Sequence, residues 1–134
     1  IEQKNGRIYV SLEEKLLFRP ASTSVEEEGV KALIELGRVL ENEKDLEIIV
    51  EGHTDSDKLN RATSPKNNWE LSVLRATSVV EIILSNSEVT PSQLMAAGRG
   101  EFYPVSETEK GKNRRIEVII SPNLNELFNI ISND

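Results

Sequence analysis

The sequence predicts an α+β domain, on three observations. Segments alternating with period two are interleaved with segments at helical period, in the order strand, helix, strand, helix, strand, strand, helix. One strand candidate is almost continuously apolar at Ile48-Ile49-Val50, as a central position in a covered sheet requires. The length of 134 residues suits a single core, since domains most often run to about 100–150 residues. One domain over 1–134 is therefore expected, with its core at about 7–121 and a closing helix at about 123–132.

The first strand lies in Gly6 to Leu12, where Ile8, Val10 and Leu12 share one face. Leu16-Leu17-Phe18 is a short apolar bridge into the loop Arg19-Pro20-Ala21-Ser22-Thr23. Ser24 is expected to cap the first long helix. Its hydroxyl can accept from an amide three residues on while Glu27 reaches back, and Glu26, Glu27 and Glu28 complement the helix dipole. Val25, Ala32, Leu33, Leu36 and Leu40 recur at helical spacing, giving a face that covers a sheet. Asp45 to Glu51 is the second strand, ended by Gly52. The polar run Ser56 to Asn67 is a loop of a length that signals function or disorder. Asn67 or Asn68 then caps a helix reaching about Asn86, with Glu70 in its first turn. Thr90-Pro91-Ser92-Gln93 reads as a short capped turn into a strand at Leu94 to Gly98. Arg115 to Ile120 forms the last strand, stopped by Pro122, and Asn123 caps a terminal helix carrying Leu124, Leu127, Phe128 and Ile131.

The net charge of −7 argues against nucleic acid as a partner, because such binding depends on Lys and Arg displacing counterions from phosphate. No apolar run approaches the roughly 18–20 residues that span a bilayer, and no basic-then-apolar leader is present. The segment is expected to be soluble. Its start at Ile1 without Met suggests a segment excised from a longer, anchored chain. The absence of Cys excludes disulfides and thiolate metal sites.

Chemistry concentrates between Glu51 and Arg75. Asp55 follows a buried strand in Gly52-His53-Thr54-Asp55, and Arg75 lies one to two turns into the next helix, so an acid and a base can meet at one rim. Arg75 interrupts the stripe Leu71, Val79 and Ile82, a setting in which a guanidinium needs hydrogen bonds or an opposite charge. Two readings stand: a structural ion pair with Asp55 or a snorkelling side chain, or a bidentate carboxylate clamp. Asp55 can accept an ammonium or cap its own turn. Of Arg114 and Arg115, which point to opposite faces, at most one serves the same pocket. His53 is the lone histidine, too little for a metal hydrolase site, and no glycine frame marks a serine nucleophile. Neither catalysis nor a cofactor is expected.

Together these residues resemble the OmpA-like (OmpA/MotB C-terminal) peptidoglycan-binding family, closer to its MotB-type branch. The resemblance runs from about Arg7 to Ile120. It rests on Leu17-Phe18, Gly52-His53-Thr54-Asp55, Asn68 with Leu71-Ser72 and Arg75-Ala76, Gly98-Arg99-Gly100-Glu101 with Pro104, and Asn113-Arg114-Arg115-Ile116-Glu117. It implies a mixed four-stranded sheet with helices packed on one face, and a module that holds the diaminopimelate-type stem peptide of peptidoglycan without cleaving it. By the same resemblance Asp55 takes the ligand's ammonium and Arg75 its carboxylate. Thr54, Asn68 and Arg114 add hydrogen bonds, and Leu71 shapes the pocket. The implied setting is the periplasm of a Gram-negative-type cell envelope, with the parent tethered to the inner or outer membrane and a homodimer left open. Two departures matter: Arg19-Pro20-Ala21 replaces the polar residues many members carry, leaving a contact there backbone-only or absent, and the Ser56–Asn67 loop is longer than in the shortest members. The competing class is a protein-interaction or oligomerisation domain of a cell-envelope protein. On the clamp reading, Arg75→Ala or Asp55→Ala abolishes retention by purified sacculi with the fold intact.

Overall fold

A computed structural model describes residues 1–122 and 131–132, so the expected terminal helix falls almost wholly outside the described residues. The elements are β1 (Glu2–Lys4), β2 (Arg7–Glu13), α1 (Glu14–Leu17), α2 (Glu27–Leu40), β3 (Leu46–His53), α3 (Asn68–Asn86), a 3-10 turn (Pro91–Gln93), β4 (Leu94–Gly98), α4 (Lys110–Asn113) and β5 (Arg115–Pro122). They build one mixed sheet in the order β1-β2-β5-β3-β4, with β3 and β4 parallel and the other neighbours antiparallel.

The sheet has five strands where four were expected. The extra strand, β1, reads Glu2-Gln3-Lys4 and shows no apolar alternation. It is held by a two-residue hairpin at Asn5-Gly6, where φ is 54° and 77°. Positive φ at both central residues is what a type I′ turn needs, and Asn-Gly is its commonest sequence.

One face of the sheet is dry. Ile48 and Val50 of β3 and Ile116 and Val118 of β5 are buried against Leu33 and Leu40 of α2 and Ala76, Val79 and Ile83 of α3. Helix α2 begins at Glu27 with Glu26 as an uncapped N-cap, not at Ser24 as the sequence suggests. The reason lies upstream: Val25 pairs with Phe18 in a β-bridge, and the Glu26 amide donates to the Leu17 carbonyl at 2.7 Å, which keeps 25–26 extended. At α3 the sequence reading holds. Asn67 is the N-cap and accepts from the Glu70 amide at 2.9 Å.

Helix α3 lies almost in backbone contact with the sheet, and two glycines allow it. A Cβ on Gly52 would fall 2.1 Å from the Ser72 carbonyl oxygen, and one on Gly98 2.5 Å from Ser72 Oγ. The Ser72 hydroxyl donates to the Trp69 carbonyl at 2.9 Å and accepts from the Gly100 amide at 3.1 Å. This packing draws the first turns of α3 against the end of β3, beside the residues of the candidate site.

Candidate functional site

Sheet register explains why distant residues meet. Glu13 of β2, Arg115 of β5 and His53 of β3 lie in one row across the sheet. One residue beyond that row come Glu14, Arg114 and Thr54, at the same edge, and the Glu14 amide extends the ladder to the Arg114 carbonyl at 2.8 Å. With the start of α3 and the Pro20-Ala21 turn they enclose a cleft of about 360 Å³. All six residues expected from sequence line it: Thr54, Asp55, Asn68, Leu71, Arg75 and Arg114.

Within the cleft the charges alternate along a chain. Asp55 Oδ2 accepts from Arg114 Nη1 at 2.6 Å; Arg114 Nε lies 3.2 Å from Glu14 Oε1; Glu14 Oε2 accepts from Arg75 Nη1 at 2.7 Å. The Asp55–Arg75 ion pair, one of the readings left open by the sequence, is thus not the one formed. Each charge has another partner, and Glu14 joins the two arginines. Sequence reasoning missed Glu14, because its charge in Glu13-Glu14 looks like an ordinary solvated pair. Its signal is position, one step past β2 and two residues before the apolar Leu16-Leu17-Phe18.

Arg75 is the most enclosed member, 3% exposed. Its Nε donates to the Ser22 carbonyl at 2.8 Å and Nη2 to the Arg19 carbonyl at 3.1 Å, and the guanidinium sits over the Phe18 ring at 4.7 Å. The Arg19–Ser22 turn therefore makes a backbone contact, directed at Arg75. Burial lowers the Arg75 pKa from its ordinary value while Glu14 opposes the shift. A guanidinium has five N–H groups, and these three bonds leave one on each terminal nitrogen. Such a pair is the geometry for an end-on carboxylate. The hydrogen bond to Asp55 raises the Arg114 pKa, with Glu14 contributing. Arg114 is also the more open of the two cations, its side chain 36% exposed.

Thr54 and Asn68 act on the backbone that carries the acid. Thr54 Oγ1 donates to the Asp55 carbonyl at 2.9 Å, and Asn68 Nδ2 donates to the carbonyls of Asp57 at 3.0 Å and Asp55 at 3.4 Å. Asp55 Oδ1 accepts from the Asp57 amide at 2.9 Å, so the carboxylate is aimed by its own turn. Leu71, 6% exposed, supplies an apolar wall. Asp57, Lys58 and Leu59 bring the start of the long loop to the cleft, where Lys110 reaches Asp57 at 2.6 Å.

Arg115 and His53 serve the other face. Arg115 Nε binds Glu117 at 2.7 Å, and His53 Nε2 binds Glu51 Oε1 at 2.8 Å. The hydrogen bond from His53 holds the Glu51 carboxyl below its usual range, with partial burial opposing and Arg99 reinforcing the shift. One arginine of the pair thus enters the cleft and the other does not, as strand alternation requires.

Solved structures share this architecture. The periplasmic domain of Helicobacter pylori MotB superposes with a TM-score of 0.85 at 26% identity, covering 98% of this chain and 93% of that one. The cell wall anchor of the T6SS from Pseudomonas aeruginosa superposes with a TM-score of 0.77 at 28% identity, over 90% and 85% of the two chains. By sequence, Motility protein B of Bacillus subtilis is 28% identical over 119 residues, 86% of this chain and 45% of that protein. The uncharacterized protein YtxE of the same organism is 29% identical over 117 residues, 84% and 48% respectively. The chain therefore spans less than half the length of these two relatives. A family model described as the OmpA family matches residues 17–117. That match covers more than half of the sequence, and the chain belongs to the OmpA family.

Proposed function

We propose that the domain binds peptidoglycan non-covalently and without catalysis, gripping a zwitterionic residue of the stem peptide of the diaminopimelate type. The observation that carries this reading is the placement of Asp55, Arg75 and Arg114 around one cleft, with Leu71 beside them. The ligand ammonium takes Arg114's place on Asp55. The ligand carboxylate meets the remaining N–H groups of Arg75 and the released Arg114. Exchange of one ion pair for another keeps the charges matched, so desolvation is offset on both sides. The likeness to the cell wall anchor of the T6SS from Pseudomonas aeruginosa supports the same direction. In its whole protein the domain tethers a membrane-anchored parent to the cell wall, on the periplasmic side of the envelope. Modest affinity at one site is sufficient there, because many tethers act on one polymer.

The test is titration of stem peptides ending in diaminopimelate or in lysine, which lacks the second carboxylate. The expected result is binding of the first, at least tenfold weaker binding of the second, and loss of sacculus retention in Asp55→Asn with an unchanged circular dichroism spectrum. Equal retention by a folded Asp55→Asn variant overturns the clamp. No retention of the folded wild-type domain favours a protein-interaction module instead.

A further inference from the structure

The chain has one Trp, two Tyr and three Phe, and it leaves an aromatic pair in the open. Trp69 is 53% exposed and Phe102 59% exposed, with ring centroids 5.2 Å apart and planes tilted by 32°. Neither ring belongs to the core cluster. Both lean on Gly100, where a Cβ would meet Trp69 Cδ2 at 3.4 Å and Phe102 Cδ2 at 3.5 Å. Gly100 has a φ of 59°, a conformation that suits glycine and brings its backbone under the two rings.

Gly100 also ties this pair to the cleft. Its carbonyl accepts from the Thr54 amide at 2.9 Å and its amide donates to Ser72 Oγ at 3.1 Å. Trp69 directly follows Asn68, whose side chain holds the Asp55–Asp57 backbone. The rings are therefore tied to the backbone that carries the acid of the clamp, with Trp69 one residue from the cleft-lining Asn68. Contiguous exposed apolar surface beside a polar cleft is a feature of binding areas.

We infer that Trp69 and Phe102 form a stacking platform for an N-acetylated amino sugar of the glycan strand, an inference that rests on the stem-peptide reading of the neighbouring cleft. A pyranose presents an apolar face of C–H groups that a flat ring covers without needing a charged partner. The occupant follows from continuity. The stem peptide is covalently joined to its sugar, and a chain extends at most about 3.5 Å per residue, so a peptide gripped in the cleft keeps its sugar within a few residue lengths. The platform is joined to the cleft through the Thr54–Gly100 hydrogen bond and the Asn68–Trp69 peptide.

The experiment compares a disaccharide-peptide with the free stem peptide, following emission of Trp69, the only tryptophan in the sequence. The expected result is roughly three- to tenfold tighter binding of the disaccharide-peptide, the range one aromatic contact supplies. Its titration should shift Trp69 emission, and the free peptide's should not. Trp69→Ala and, independently, Phe102→Ala should erase the sugar's advantage and leave free-peptide affinity unchanged, measured by calorimetry. Equal affinity of both ligands for the wild type, or an advantage that survives both substitutions, overturns the platform and leaves the rings to a protein partner. Should neither peptide ligand bind, the stem-peptide reading falls by itself. A millimolar titration with the peptide-free disaccharide then decides the platform: a Trp69 response retains it and silence overturns it.

Discussion

Replacing Glu14 with Gln removes the charge that joins the two arginines of the cleft while keeping side-chain shape. Glu14 is 12% exposed at its side chain and Arg75 4%, with 2.7 Å between their charged atoms, so solvent screens the pair little. Breaking such a pair from one side costs roughly 3–5 kcal/mol, because the remaining charge stays buried without its counter-ion. The second contact, to the more open Arg114 at 3.2 Å, adds at most about 1 kcal/mol. Arg75 keeps the Ser22 and Arg19 carbonyls, which places the expected loss at the lower end, about 3 kcal/mol. For a chain of this length that corresponds to a fall in Tm of roughly 10–15 °C. Urea unfolding followed by circular dichroism measures it. The same reasoning predicts that Arg75→Met costs less in a Glu14→Gln background than in the wild type, by at least about 1 kcal/mol. A Glu14→Gln loss below about 1 kcal/mol, or strictly additive substitutions, would refute the account. If it holds, Arg75→Ala is not the fold-neutral probe that sequence alone suggests, and Asp55 is the better position for testing binding.

Three further outcomes follow from local geometry. Gly52→Ala sets a Cβ 2.1 Å from the backbone oxygen of Ser72, which cannot rotate away, so chemical denaturation should show a loss of about 3 kcal/mol or more. Ala21 holds a φ of 59° in the Arg19–Ser22 turn, where left-handed backbone costs a residue with a Cβ roughly 1 kcal/mol. Ala21→Gly should therefore stabilise by a few tenths of a kcal/mol after its own unfolded-state entropy, whereas β-branched Ala21→Val should destabilise; a loss in the glycine variant contradicts this. Glu51 has a folded-state pKa below its ordinary 4.5. Its contribution is thus present above about pH 4.5 and is lost as pH falls through the folded value. Unfolding midpoints measured from pH 6 to pH 3 should fall less steeply for Glu51→Gln, and an identical slope would count against the His53–Glu51 bond.

Much of this protein is determined by local pattern. The period-two run Arg115 to Ile120 and the helical run ending at Asn86 form the expected elements, because apolar spacing decides which face can be buried and a cap such as Asn67 satisfies a free amide within its own turn. Asp55 and Arg75 stood out by their charge beside apolar runs, and the family resemblance added Thr54, Asn68, Leu71 and Arg114, which line the same cleft. The pairing of charges was not legible. Glu14 and Arg75 are 61 residues apart, and which acid meets which base depends on the row in which Glu13, Arg115 and His53 align across three strands. Ser24 failed as a cap for a related reason, since a bridge from Val25 to Phe18 outweighs a single side-chain hydrogen bond. Sequence determined the long helices and the core strands, but neither β1 nor the part played by Glu14, because propensity and burial act over a few residues. Only the tertiary structure decided that Asp55 rests on Arg114 and Arg75 on Glu14, because electrostatic partners are chosen by distance in space and strand register sets that distance.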